Sequence, residues 1–212
     1  MAIDRLRHTG VMTRIVAGVA GGRRLRVPPS GTRPTSERVR EALFSMLAHR
    51  LGSWPEQVVL DAFAGSGALG LEAASRGASA VLLLDKHPSA VAVLQANADG
   101  LGIAGVTVER ADAWRLSTRP RPQKMPGPVT LLFADPPYTE PGEQISTWLI
   151  GMAESDWLAP SCVAVVERAA RGAEFRWPPG WQTLTDRRYS DTVVHVGRRS
   201  EILFADQREE ST

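Results

Sequence analysis

The run VVLDAFAGSGALGLEAASRG at residues 58–77 constrains the fold more than any other stretch of the chain. It reads as a short apolar strand, an acidic residue at the strand's carboxyl end, a glycine loop and a helix, the unit from which parallel α/β sheets with a nucleotide site are built. Gly65 and Gly67 let the backbone turn tightly and approach a ligand, and Gly70 lets helix and strand pack closely. The pattern then repeats. Nearly all-apolar strands are expected at Val58–Leu60, Ala80–Leu84, Val106–Glu109, Val129–Ala134, Cys162–Glu167, Leu184–Tyr189 and Thr192–Val196. Helical windows at Leu69–Arg76, Pro88–Asp99 and Gln144–Met152 separate most of the earlier ones, and Pro88 suits a first helical position. A chain of 212 residues, 43% hydrophobic, fills one such domain rather than two.

Ahead of this repeat, MTRIVAGVAGGRRLRV at 12–27 reads as strand, Gly21-Gly22 turn and strand, a hairpin outside the main sheet. Pro28-Pro29-Ser30-Gly31 breaks the chain. Helix one follows Pro34, with Thr35 or Ser36 as cap and Val39, Ala42, Leu43, Met46 and Leu47 on one face, which points Arg38 and Arg40 away from the core. The stretch Thr118–Pro128, rich in proline, reads as an exposed loop. Net charge is +2, but residues 1–50 carry +7 and the remainder −5, and all basic residues except Lys86 and Lys124 are arginine. The arginine fork matches phosphate oxygens two at a time, so the basic N-terminal portion is either a phosphate-binding surface or an ordinary solvated face.

The single cysteine, Cys162, excludes an intrachain disulfide framework and a cysteine-built zinc site, and it reads as core. His8, His49, His87 and His195 have no metal-ligand spacing, so no metal is expected; His87 is expected to shape the cofactor rim. No run approaches 18 apolar residues and the N-terminal segment lacks a signal-peptide core, so neither export nor membrane insertion is expected and the expected compartment is the cytoplasm.

The glycine loop admits three readings: an S-adenosylmethionine (SAM) site, a nicotinamide dinucleotide site or a structural turn. Gly65, Gly67 and Gly70 spell GxGxxG and Asp85 follows at the end of the second strand, which satisfies the dinucleotide fingerprint by spacing. Three features favour SAM. Asp61 sits where a carboxylate would meet a pyrophosphate unfavourably yet suits an ammonium group; Asp85 can accept from ribose hydroxyls; Asp112-Ala113, past the third strand, can recognise adenine by a side chain and a backbone amide.

The fourth strand runs straight into Asp135-Pro136-Pro137-Tyr138, at the end of a parallel sheet where ligands bind. Each proline restrains the residue before it, giving a stiff segment whose carbonyl oxygens hold their direction. Tyr138 can lie against an unstacked purine. An exocyclic amine on a purine is a poor nucleophile because its lone pair is delocalised into the ring. Hydrogen bonds from its protons to the Asp135 carboxylate and the Pro136 carbonyl would orient the nitrogen for in-line attack on a sulfonium methyl.

Together, Arg14-Ile15-Val16-Ala17-Gly18, Gly22-Arg23-Arg24-Leu25, the Arg33–Glu41 stretch, Asp61–Gly67 and Asp135–Tyr138 resemble the bacterial 16S ribosomal RNA guanine-N2 methyltransferases that modify the guanine numbered 966. The resemblance runs from about Arg14 to Val196. It implies an α/β fold, a Rossmann-like SAM-dependent methyltransferase sheet of strand order 3-2-1-4-5-7-6 with an N-terminal β-hairpin extension. The implied division is an RNA-contacting extension over residues 1–31, a methyltransferase domain over 32–200 and a tail over 201–212. The implied cofactor residues are Asp61, Phe63, Gly65, Gly67, Asp85, Lys86, Asp112 and Ala113, with Asp135, Pro136, Pro137 and Tyr138 holding the guanine. Arg14, Arg23, Arg24, Arg33, Thr35, Arg38 and Arg40 are the implied RNA contacts. The implied partner is 16S RNA in an assembled or partly assembled small subunit. Ser190 departs from the family, whose members usually carry glycine there. Two rivals stand beside this reading: an adenine-N6 methyltransferase using the same tetrapeptide, disfavoured by the Arg33–Glu41 stretch, and a non-catalytic RNA-binding or assembly protein.

Overall fold

The computed structural model describes residues 12–28, 36–172 and 174–200. Arg33 and Thr35, both boundaries of the N-terminal extension and the tail over 201–212 lie outside the described residues.

Seven strands form the main sheet: β3 (Val58–Asp61), β4 (Ala80–Asp85), β5 (Val106–Arg110), β6 (Val129–Ala134), β7 (Leu158–Ala169), β8 (Trp181–Tyr189) and β9 (Thr192–Arg199). They lie in the order β5-β4-β3-β6-β7-β9-β8, which within the sheet is the expected 3-2-1-4-5-7-6. Pairing is parallel from β5 to β7 and antiparallel from β7 through β9 to β8. Strict alternation sends Val59, Leu83, Leu131, Phe133, Val163 and Val165 to one apolar layer. Leu60, Leu82, Leu84, Leu132, Ala164 and Val166 go to the other. With both faces covered, period-two polarity disappears and the strands read as apolar runs.

Helices α2 (Ala68–Ser75), α3 (Pro88–Leu101) and α4 (Gly142–Glu154) lie where helical windows were expected. Helix α3 runs to Leu101 because Gly102, with φ of 65°, ends it. Strand β7 begins at Leu158 rather than Cys162: Leu158 pairs with Val129, and the register shifts before Leu131 meets Val163. Two 3-10 turns, Trp54–Glu56 and Ala113–Thr118, were not expected. The second has a signal in retrospect, since the Asp112 carboxylate accepts from Trp114 N at 3.2 Å as a cap does. The loop before β6 is not wholly exposed, because Met125 inserts into the second apolar layer.

The N-terminal hairpin, β1 (Met12–Arg14) paired antiparallel with β2 (Arg24–Arg26), stays outside the main sheet as expected. It shares the sheet's core nonetheless, with Ile15 and Leu25 fully buried in the first apolar layer. Glu72 of α2, buried completely, accepts from Val16 N at 2.6 Å and Ala17 N at 3.0 Å. Ser75 accepts from Ala20 N at 2.9 Å, and Asn97 of α3 both accepts from Arg26 N and donates to its carbonyl.

Helix α1 (Glu37–Leu51) starts at Ser36, whose hydroxyl accepts from Val39 N at 3.3 Å. Its buried face corrects the sequence reading twice. Phe44 is buried where Ala42 is exposed, and Arg40 faces the core with 0% exposure. Arg40 donates to Thr13 Oγ1 at 3.2 Å and to the Arg14 carbonyl, and its Nε lies 3.8 Å from Glu72 Oε2. It is a structural cation joining hairpin, α1 and α2, and cannot reach an RNA phosphate. Periodicity misses it because a buried ion pair and a surface charge look alike in sequence.

Candidate active site

The carboxyl ends of β3, β4, β5 and β6 surround a cavity of about 470 Å³. Asp61, Phe63, Gly65, Asp85, Lys86, Asp112, Ala113, Asp135 and Pro137 all line it, so the three strand ends read for a nucleoside meet Asp135 and Pro137 of the tetrapeptide in one place, while Pro136 and Tyr138 stay out of the lining. Gly67 stands behind the wall, its φ of 81° opening α2 in the left-handed region where glycine alone carries no steric penalty. At Gly70 space decides: a Cβ would lie 2.2 Å from Leu83 Cδ2, so helix and sheet can approach only over glycine. His87 lines the rim as expected, and Val27 and Pro28, beyond the hairpin, form part of the wall, which no sequence motif announces.

Asp85 is held by its loop. Gly65 N donates to Oδ2 at 3.1 Å and His87 N to Oδ1 at 2.8 Å, leaving each oxygen a further lone pair for a ribose hydroxyl. Asp61 is 3% exposed and accepts from Gly70 N at 3.0 Å. Burial, with Asp85 and Glu167 adding negative charge, pushes its carboxyl up to about 7, only partly opposed by the Gly70 amide. A cationic ligand group beside Asp61 would therefore find a carboxylate whose charge is poorly compensated by the protein. Beyond β5, Trp148 Nε1 donates to the Ala113 carbonyl at 2.8 Å and fixes that peptide. Phe63 packs against Trp114 and Trp148, with centroids 5.2 and 5.9 Å away.

Asp135 ends β6 over the cavity. Its Oδ1 is buried and, among the described residues, has no hydrogen-bond partner. Burial first, then Glu167 and Asp61, holds its carboxyl well above the ordinary range, and Arg168 draws it down. A buried acceptor without a donor is costly and marks a place where a ligand donor belongs. Pro136 is buried, Pro137 lines the cavity, and Tyr138, outside that lining, is 44% exposed with its hydroxyl hydrogen-bonded to Thr192. Sequence reasoning missed Glu167 and Arg168, which are 3% and 2% exposed beneath this segment.

The basic residues divide. Arg24 and Arg38 are exposed. Arg14 pairs with Glu37 at 2.7 Å, and Arg23 donates to the Gly100 carbonyl at the end of α3 at 2.5 Å. Cys162 is buried and its thiol is pushed up by burial, which fits a core residue and no nucleophile. Among the described residues no group of three or more His, Cys, Asp or Glu side chains is placed to hold a metal ion, and no helix is long and apolar enough to cross a membrane.

The family model described as "Conserved hypothetical protein 95" matches residues 13–198. Ribosomal RNA small subunit methyltransferase D of Haemophilus influenzae is 34% identical over 176 residues, covering 82% of this chain and 87% of its own. The chain belongs to this methyltransferase family. The Escherichia coli member is 33% identical over the same length, covering 82% and 84%. A solved Escherichia coli structure, 30% identical, superposes with a TM-score of 0.75 over 90% of this chain and 99% of its own. Magnesium protoporphyrin IX methyltransferase of Synechocystis PCC 6803, solved with bound SAM, is 19% identical over 77% of this chain and 79% of its own; its TM-score of 0.59 shows the shared fold alone. The methyltransferase cavity suits SAM: carboxylates for its cationic and ribose ends, and a pinned peptide with aromatic neighbours for its adenine. The Ser190 departure also has a structural face. Its φ of 54° lies in the left-handed region, where a glycine would carry no strain.

Proposed function

We propose that the protein transfers a methyl group from SAM to the exocyclic N2 amine of a guanine of the 966 type in 16S ribosomal RNA, acting on assembled or partly assembled small subunits in the cytoplasm. The observation that carries this reading is the buried, unpartnered Oδ1 of Asp135 at the edge of the cavity. It is an acceptor placed for the proton of an incoming amine. When bound, SAM supplies an electrophilic sulfonium methyl and departs as a neutral thioether. The protein's part is orientation. Asp61, Phe63, Gly65, Gly67, Asp85, Lys86, Asp112 and Ala113 hold the cofactor; Asp135 and the Pro136 carbonyl fix the two amine protons; Pro137 keeps the segment stiff; and the exposed Tyr138 ring stacks on the guanine. An ionised Asp135 also stabilises the positive charge that develops on the nitrogen.

Names of the relatives support the RNA substrate, and the exposed Arg24 and Arg38 offer phosphate contacts, with Arg14, Arg23, Arg33 and Thr35 as the further RNA contacts of this reading. The hairpin portion, residues 1–31, serves as the RNA-contacting extension of the catalytic domain over 32–200. Asp135→Ala decides the mechanism. The variant keeps its fold and SAM affinity, while methyl transfer to small subunits from a strain lacking the enzyme collapses. Nucleoside analysis of the product must yield N2-methylguanosine; N6-methyladenosine alone would overturn the substrate, and full activity in Asp135→Ala would overturn the mechanism.

A further inference from the structure

Arg168 lies on β7 two residues beyond Val166, which pairs with Ala134 of β6, so it sits under the segment that follows Asp135. Its guanidinium is buried. Nη2 donates to the Glu140 carbonyl at 2.5 Å and Nη1 lies 3.5 Å from the Pro137 carbonyl. These two carbonyls bracket Tyr138, so one fork spans the stretch that bears the stacking ring. A leucine could fill the volume with no loss of hydration, whereas a buried guanidinium is tolerated only for what it holds.

We propose that Arg168 is a positioning residue for methyl transfer: its fork ties the Pro137 and Glu140 carbonyls to β7, and its charge offsets the carboxylates that face Asp135. This rests on the role given to Asp135 above. The ionisable groups around Asp135 are Glu167 and Arg168 of β7, Asp61 of β3 and Tyr138 of its own segment. Arg40 of α1 lies on the side of Glu167 and Asp191 on the side of Tyr138. Glu167 and Asp61 raise the Asp135 carboxyl and Arg168 lowers it. Asp135 stabilises the positive charge developing on the amine nitrogen only when ionised. Loss of the guanidinium therefore makes the acidic limb of kcat/KM appear at higher pH.

The test compares pH profiles of methyl transfer to small subunits for the wild type, Arg168→Met and Arg168→Lys, with SAM affinity measured by calorimetry for each. Arg168→Met moves the acidic limb up by about one pH unit, the lower end of what one neighbouring cation contributes to a carboxylate. Arg168→Lys keeps the limb in place but lowers kcat about tenfold, because a single ammonium cannot span both carbonyls. Both variants bind SAM as the wild type does. An active Arg168→Met enzyme with an unmoved limb overturns the proposal. So does an Arg168→Lys enzyme with wild-type kcat, and that variant decides alone if Arg168→Met fails to fold. A wild type that methylates no small-subunit guanine overturns the functional reading and this inference with it, and that result is distinguishable because it precedes any variant.

Discussion

Residue by residue, the buried carboxylates of the site trade stability for binding. Asp61 has its folded value raised to about 7, so between the ordinary carboxylate range and pH 7 the native state holds a proton that the unfolded chain has released. Stability therefore falls as pH rises through that window, and above it the charged, buried Asp61 is a net burden. Asp61→Asn, whose amide oxygen can still accept from Gly70 N, should make the cofactor-free protein more stable at pH 8 by on the order of 2 kcal/mol, with the gain vanishing towards pH 4. Denaturant melts at the two pH values measure it, and the same variant should bind SAM more weakly. Asp85 makes the opposite case, because its oxygens already accept two backbone amides. Asp85→Ala should lower SAM affinity by about 1 to 3 kcal/mol in calorimetry; unchanged affinity would remove it from the cofactor site. Asp85 and Asp135 are legible in the sequence because each closes an apolar strand. Glu167, Arg168 and Arg40 are not, since nothing in a linear pattern separates a charge that is buried with a partner from one that faces water.

Element by element, the strands and helices are readable because their periods are clean, and the errors fall where packing overrides period. Helix α1 shows this best: Phe44 turns inward against the rings of Trp54 and Phe133, and Arg40 towards the Glu72 carboxylate of α2. Arg40→Ala takes a buried donor from Thr13 Oγ1 and the Arg14 carbonyl, while Glu72 keeps its ion pair with Arg76 at 2.9 Å, and should cost about 1 to 3 kcal/mol in denaturant melts. Arg38→Ala, on the exposed side of the same helix, should cost less than about 0.5 kcal/mol. At the β8–β9 turn, Ser190 holds a left-handed backbone. Ser190→Gly should stabilise by about 1 kcal/mol without changing methyl transfer, read from melting and activity together; a loss of stability would mean that the hydroxyl has a bond worth more than the strain.

For the molecule as a whole, the charge asymmetry read from the sequence persists but thins, because Arg40 is internal and Arg14 and Arg23 already have partners. Removing both Arg24 and Arg38 as glutamine should weaken small-subunit binding and flatten its dependence on log salt by about 1.5, with free SAM binding unaltered. Wild-type affinity and slope in that double variant would mean a merely solvated face. The stitching of the hairpin onto α2 and α3 has a further consequence, for the order in which the chain can fold as it is made. Residues 12–28 leave the ribosome before Glu72, Ser75, Asn97 and Gly100, to which they attach and which follow 55 to 77 residues later. At typical elongation rates that interval is roughly 3 to 15 seconds, against microseconds for closing a hairpin. Throughout it Ile15 and Leu25 have no apolar layer to enter. A hairpin made before its anchors is secured only after them, and a nascent chain that pauses before α3 presents a bare, arginine-rimmed apolar hairpin to whatever is near the tunnel mouth.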